Sequence, residues 1–178
     1  LSDIKAAVIG NVVPQASYDL KRFVKDYCGC TPQVVGEGGY KKGIKVKIDN
    51  PRELGADRFI NALAAHRLFP GDTIVIDFGT ATTFDLVSAK GEYLGGSIAP
   101  GVHLSLEALY LAAAKLPNVT IERPEKAVGT NTIDAMQSGI YYGYVGLIEG
   151  VVTRMEKEYG KKVKVIATGG LAPLLAKG

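Results

Sequence analysis

An α/β fold built on a mixed, partly antiparallel sheet is what this sequence predicts, on three observations. Short apolar runs of strand length alternate with amphipathic stretches of helical period along the 178 residues. Three runs, at 73–76, 83–88 and 93–98, follow one another across tight turns, as a hairpin or meander does. The hydrophobic fraction, 47%, is that of a chain able to bury a core.

The first strand is expected over Ala6-Ala7-Val8-Ile9, with an exit turn from Gly10 to Pro14. Leu20, Phe23, Val24 and Tyr27 then recur at helical spacing within residues 15–27. Gln33-Val34-Val35 reads as a strand, and residues 43–48 as another whose apolar and basic residues alternate, as on a half-exposed strand. Gly36, Gly38 and Gly39 mark the loop between them. Asp49-Asn50-Pro51 is a turn signal, and residues 53–69 carry Leu54, Ile60, Ala64 and Leu68 on one helical face until Pro70-Gly71-Asp72 stops them. After the three-strand meander, with its tight turn at Lys90-Gly91, helices are expected over 103–114 and 131–158. The second contains Gly139, Gly143, Gly146 and Gly150. Each glycine would cost roughly 1 kcal/mol against alanine on an exposed helix, so close packing against a neighbour is the expected reason for them. Residues 162–167 read as a buried strand, and Thr168-Gly169-Gly170-Leu171 as a turn into a further helix.

Charge excludes more than it assigns. The net charge is +3 with both signs interspersed, which argues against a nucleic-acid or membrane partner. The lysines at 41, 42 and 47 and at 161, 162 and 164 flank strands, as solvated faces do. Cys28 and Cys30 lack a second ligand cluster at metal spacing and read as reduced thiols. No run approaches the ~18 apolar residues of a membrane span, and the first residues lack a signal peptide's pattern, so a cytoplasmic protein is expected. The chain starts at Leu1 and is in a strand within a few residues, which leads to the expectation of a fragment of something longer.

Four segments could carry chemistry. Asp77-Phe78-Gly79-Thr80-Ala81-Thr82-Thr83-Phe84-Asp85 places an acid at a strand end, then a glycine turn and three threonines. Those groups suit a polyphosphate or a cation, and an ordinary hairpin turn is the alternative. Gly55-Ala56-Asp57-Arg58, with Asn61 a turn later, opens a helix; there the dipole favours an anion, Arg58 can grip a carboxylate or phosphate, and Asp57 can accept a hydroxyl proton. Plain helix capping by Asp57 is the alternative. Gly169-Gly170 would let a nucleotide approach the backbone, or merely connect strand to helix. Gly129-Thr130-Asn131-Thr132 reads first as a helix start; apart from these four, Gly95-Gly96 through Gly101 could line a pocket, and strand-to-helix turn chemistry explains it equally well. His66 and His103 have no acidic partners nearby in sequence, which favours structural or surface roles.

In this order, the segments resemble type III pantothenate kinase, of the acetate and sugar kinase, Hsp70 and actin superfamily. The matching pieces also include Val12-Val13-Pro14, Asp49-Asn50-Pro51, Lys115-Leu116-Pro117 and Gln137-Ser138-Gly139. The resemblance implies an actin-like ATPase fold of two similar ribonuclease-H-like halves with mixed sheets, residues 1–70 being the remainder of the first and 71–178 the second, with its C-terminal end cut short. It implies transfer of the γ-phosphate of ATP to pantothenate, the first step toward coenzyme A, with Mg²⁺ arriving with ATP and a homodimer building the substrate site. Asp57 would be the catalytic proton acceptor, and Gly55, Ala56, Asp57, Arg58 and Thr132 would contact pantothenate, Arg58 at its carboxylate. Gly79, Thr80, Gly169 and Gly170 would contact ATP, and Asp77 would hold a monovalent cation, K⁺ or NH₄⁺.

The departures are also specific. The family's opening Asp-x-Gly-Asn-Thr phosphate loop has no counterpart in these residues. Ile48 stands where the family often has a substrate-contacting tyrosine, and Ala113-Ala114 where it has Thr-Ala. Two other readings follow from these: a noncatalytic regulatory or binding relative, and a kinase for another small hydroxy acid.

Overall fold

The computed structural model describes residues 1, 3–37, 43–112 and 116–176. Gly38, Gly39, Lys41, Lys42, Ala113, Ala114 and Lys115, which carry expectations above, lie outside the described residues. The N-terminal part pairs β1 (Val8–Ile9) in parallel with β2 (Gln33–Val34) through α1 (Ser17–Cys28). Then come β3 (Lys45–Val46), α2 (Ala56–Leu68), β4 (Thr73–Phe78), β5 (Ala81–Val87), β6 (Glu92–Pro100), α3 (Val102–Ala112), α4 (Thr132–Tyr159), β7 (Lys164–Gly169) and the short α5 (Ala172–Leu175). Five strands form one sheet in the order β3-β6-β5-β4-β7. The meander β4-β5-β6 is antiparallel, as expected, and β7 and β3 join its two sides in parallel.

Alternation along the strands sorts the sheet into two faces. Ile74, Ile76 and Phe78 of β4 and Phe84 of β5 pack with Tyr141 and Tyr144 of α4. Val75, Val87 and Tyr93 point the other way and pack with Phe59, Ala62 and Ala65 of α2. Each large apolar side chain so buried contributes about 1.5–3 kcal/mol, so the two clusters fix the helices on opposite faces.

Three sequence expectations change. The helix expected from residue 53 starts at Ala56, because Leu54 and Gly55 are extended after a 3₁₀ turn at Pro51–Glu53 that Asn50 caps through Arg52 N–H. That puts the helix N-terminus at Gly55-Ala56-Asp57. The strand expected to be buried near the C-terminus is an edge strand: β7 has β4 as its one neighbour among the described residues, and Val165 is 42% exposed. The glycines of α4 were expected against a neighbouring backbone, yet a Cβ on Gly139, Gly143 or Gly146 would meet nothing within 4 Å, and one on Gly150 only the Arg154 guanidinium. Across the sheet, β3 pairs with β6, and α2 covers β4 and β5.

Candidate active site

The first turn of α2 presents Asp57. A Cβ on Gly55 would stand 2.6 Å from Asp57 Oδ1, so a glycine there lets the carboxylate fold back over the helix start. Asp57 Oδ1 accepts the Arg58 backbone N–H at 2.8 Å, and the carboxylate lies at the positive end of the helix dipole. The side chain is exposed, and among the described residues no donor reaches Oδ2.

One turn along, Asn61 joins this helix to the threonine segment. Its Nδ2 donates to Asp77 Oδ2 at 2.7 Å, which brings the Asp57 and Asp77 segments into one site. Asp77 is half-buried near the C-terminal end of β4, opposite Thr83 of β5. Its Oδ1 receives no hydrogen bond from a described residue and faces the Gly79 turn, 3.9 Å from where a Cβ on that glycine would stand. A cation fits this oxygen, although the described residues contain no cluster of three or more metal-ligating His, Cys, Asp or Glu. One carboxylate suits a cation shared with a ligand better than a resident divalent ion in an all-protein cage.

Beyond Asp77, the chain reverses through Gly79 and Thr80 and is clamped from the far side. Gly101 donates its N–H to Thr80 O at 3.1 Å, and a Cβ at Gly101 would lie 2.2 Å from that oxygen. The clamp starts α3 beside the turn, and a cleft of about 450 Å³ opens between Gly79 and Thr80, His103 and Glu107 of α3, and Gly170 and Leu171. His103, expected to be structural or on the surface, is exposed and lines this cleft. Gly170 lines the cleft, whereas Gly169 serves the strand: its φ is +91° and a Cβ would meet Phe78 O at 2.5 Å.

Arg58 is held from below. Its Nε and Nη2 both donate to Asp85 Oδ1, at 2.9 and 2.6 Å, and the Tyr93 hydroxyl donates to the same oxygen at 2.7 Å. Thr83 donates to Asp85 Oδ2 at 3.3 Å. Burial pushes the fully buried Asp85 carboxyl up from its ordinary value, against the pull of Arg58, Tyr93 and Thr83. Burial would lower the Arg58 guanidinium, but the hydrogen bond and charge of Asp85 hold it above its ordinary value. The Tyr93 hydroxyl is pushed far up by burial and by the adjacent carboxylate. Sequence reading passed over Tyr93 and treated Asp85 only as the end of a segment; the signal was the alternation that puts Thr83 and Asp85 on the face that α2 covers.

Thr132, one of the expected site residues, is apart from the others in the fold. It is exposed in the first turn of α4, which Asn131 caps through Asp134 N–H, and α4 packs on the face of the sheet opposite to α2. Ile48, the departure from the family tyrosine, packs beside the α2 cluster and contacts the Gly95 position.

Known proteins resemble this chain in sequence and in fold. The type III pantothenate kinase family model matches residues 1–154. The type III pantothenate kinase of Paramagnetospirillum magneticum is 56% identical over 175 residues, covering 98% of this chain and 67% of that protein. Those of Acidiphilium cryptum and Rhodospirillum rubrum are 54% and 55% identical, each over 98% of this chain, which spans 65% and 68% of their lengths. A crystal structure of a Campylobacter jejuni protein described as a Baf family transcriptional activator superposes with a TM-score of 0.63, at 23% identity, over 98% of this chain and 72% of its own; that likeness shows the fold. With the family model over most of its length and relatives above half identity, the chain belongs to the type III pantothenate kinase family.

Proposed function

We propose that this chain supplies the catalytic base, the phosphate turn and the carboxylate grip for ATP-dependent phosphorylation of pantothenate to 4'-phosphopantothenate, the first step of coenzyme A synthesis. The observation that carries the residue roles is the Asn61 to Asp77 hydrogen bond, which joins the Asp57 helix and the Gly79-Thr80 turn in one site.

In this reading Asp57 takes the proton of the substrate's primary hydroxyl through its unengaged oxygen, while Gly55, Ala56 and Arg58 hold the substrate against the helix start. Gly79 and Thr80 present backbone and hydroxyl donors to the polyphosphate, and the Gly169-Gly170 turn borders the rest of the nucleotide. ATP with Mg²⁺ supplies the phosphoryl group, and its transfer asks of the protein mainly position and charge balance. The half-free Asp77 carboxylate suits a monovalent cation beside the phosphates. A homodimer belongs to the same proposal: the open glycine stripe of α4 and the exposed Thr132 at its start offer a second copy a face that could deliver Thr132 to its partner's substrate. A cytoplasmic location goes with ATP as donor.

Pantothenate-dependent ADP release by the full-length protein, with and without K⁺ and against other hydroxylated acids, tests the reading. Turnover with pantothenate that rises with K⁺ is expected. Release of ADP with another acid alone would overturn the substrate, and no release with any would overturn the enzyme. Ile48 gives the other-acid reading no support, because its side chain packs beside the core.

A further inference from the structure

We infer that Asp85 and Tyr93 are a positioning pair that aims the Arg58 guanidinium and so sets preference for a carboxylate-bearing substrate over its uncharged analogue. The inference deepens the proposed function and rests on it. Asp85 is 0% exposed, yet it engages only one edge of the guanidinium: Nε and Nη2 converge on Oδ1 alone. A fork-to-fork pair would use both carboxylate oxygens and hold Arg58 as a closed unit. Here the second oxygen is turned to Thr83, and Nη1 has no hydrogen-bond partner among the described residues. Arg58 also keeps 17% of its side chain exposed, directly beside the exposed Asp57.

The neighbours are arranged for the same end. Tyr93, 1% exposed, places its hydroxyl on Asp85 Oδ1 at 2.7 Å and its ring 5.8 Å from the guanidinium carbon. Gly96 pairs with Asp85 across the sheet, and a Cβ there would stand 3.0 Å from Arg58 Nη2 and 1.8 Å from Phe84 O. Bare backbone at that position gives the guanidinium its lane. A bridge that only tied α2 to the sheet would need Asp85 and Arg58 but not the tyrosine hydroxyl, so the hydroxyl is where the two roles part.

The experiment compares the full-length protein with its Tyr93→Phe and Asp85→Asn variants, using pantothenate and a pantothenamide in which the carboxylate is replaced by an uncharged amide. The readout is the ratio of kcat/KM for acid over amide, which does not depend on the fraction of enzyme that is folded. Tyr93→Phe is expected to raise KM for pantothenate on the order of 5- to 10-fold, with kcat and KM for ATP near wild type and KM for the amide unchanged. Asp85→Asn is expected to lower the ratio further. Equal losses on acid and amide, or an unchanged ratio in both variants, would make the pair structural and overturn the inference. Wild-type turnover of both substrates without preference would overturn it through Arg58, whereas no wild-type turnover of either would defeat the kinase reading itself, and the inference with it.

Discussion

The two ends of β4 each carry an aspartate, and they are finished differently. Asp72, just before the strand, is saturated: Oδ1 accepts Ala89 N–H at 3.0 Å and the Tyr159 hydroxyl at 2.7 Å, and Oδ2 meets Lys161 at 2.7 Å. The hydrogen bond from Lys161, followed by those from Tyr159 and Ala89, pulls the Asp72 carboxyl from its ordinary value down to about 2. Asp77, five residues later, has one oxygen on Asn61 and the other without a donor among the described residues. A carboxylate whose acceptor capacity is filled by its own fold is a clamp, here tying α4 and the β5–β6 turn to the start of β4. One left half-filled beside the Gly79 turn keeps its capacity for something that is not protein.

The sharpest way to break the comparison is to neutralise each acid in the full-length enzyme. Asp57→Asn, on the helix beside the open end, removes the carboxylate proposed to accept the proton and should lower kcat by about 10²- to 10⁴-fold in the ADP-release assay, with substrate KM values little changed. Asp77→Asn keeps the bond from Asn61 in shape but loses the charge; a fall in kcat/KM for ATP of about 10- to 100-fold is expected, with a weaker response to K⁺. Gly55→Ala sharpens the picture at finer scale: the new Cβ forces the Asp57 carboxylate to rotate, and a loss of about 3- to 10-fold in kcat with an unchanged unfolding midpoint should be seen. At the closed end, Asp72→Asn should leave turnover within about 2-fold of wild type and lower the thermal midpoint at neutral pH by about 2–6 °C.

Acidity distinguishes the ends by sign. Because the Asp72 carboxyl is depressed from 3.8 to about 2 in the folded chain, its stabilisation is complete above the higher value and is lost as pH falls toward the lower. Asp72→Asn should therefore flatten the fall in thermal midpoint between pH ~4 and ~2, measured by circular dichroism. A wild-type slope in that variant would mean that Asp72 is not the clamp.

Much of this was legible in the sequence because it follows from period and punctuation. The Lys90-Gly91 turn and the alternating runs around it gave the meander, and Asn50-Pro51 followed by Gly55 gave a helix start with an acid in its first turn. Long-range partnerships were not legible. Nothing local ties Asp72 to Tyr159, 87 positions away, or marks Arg58 as the cation for Asp85, 27 positions away. His103, expected to be structural or on the surface, is exposed, and its place beside the Gly79-Thr80 turn depends on Gly101 pressing on Thr80, which no local pattern marks. β7 misled through composition: its apolar run suits a central strand, but burial depends on how many neighbours the topology supplies.

Strand β5 carries Thr83 and Asp85 toward α2 and Phe84 toward α4. Side chains on a strand reverse direction at every residue, so a slip of one position against β4 would send the Asp85 charge among Ile74, Ile76 and the tyrosines of α4, with no guanidinium to meet it, and strand Phe84 against Arg58. Such a mispairing would be penalised by several kcal/mol. The carboxylate under the Arg58 guanidinium thus doubles as a proofreader of sheet assembly, and a variant that neutralises it is expected to fold with less fidelity even where its catalytic defect is small.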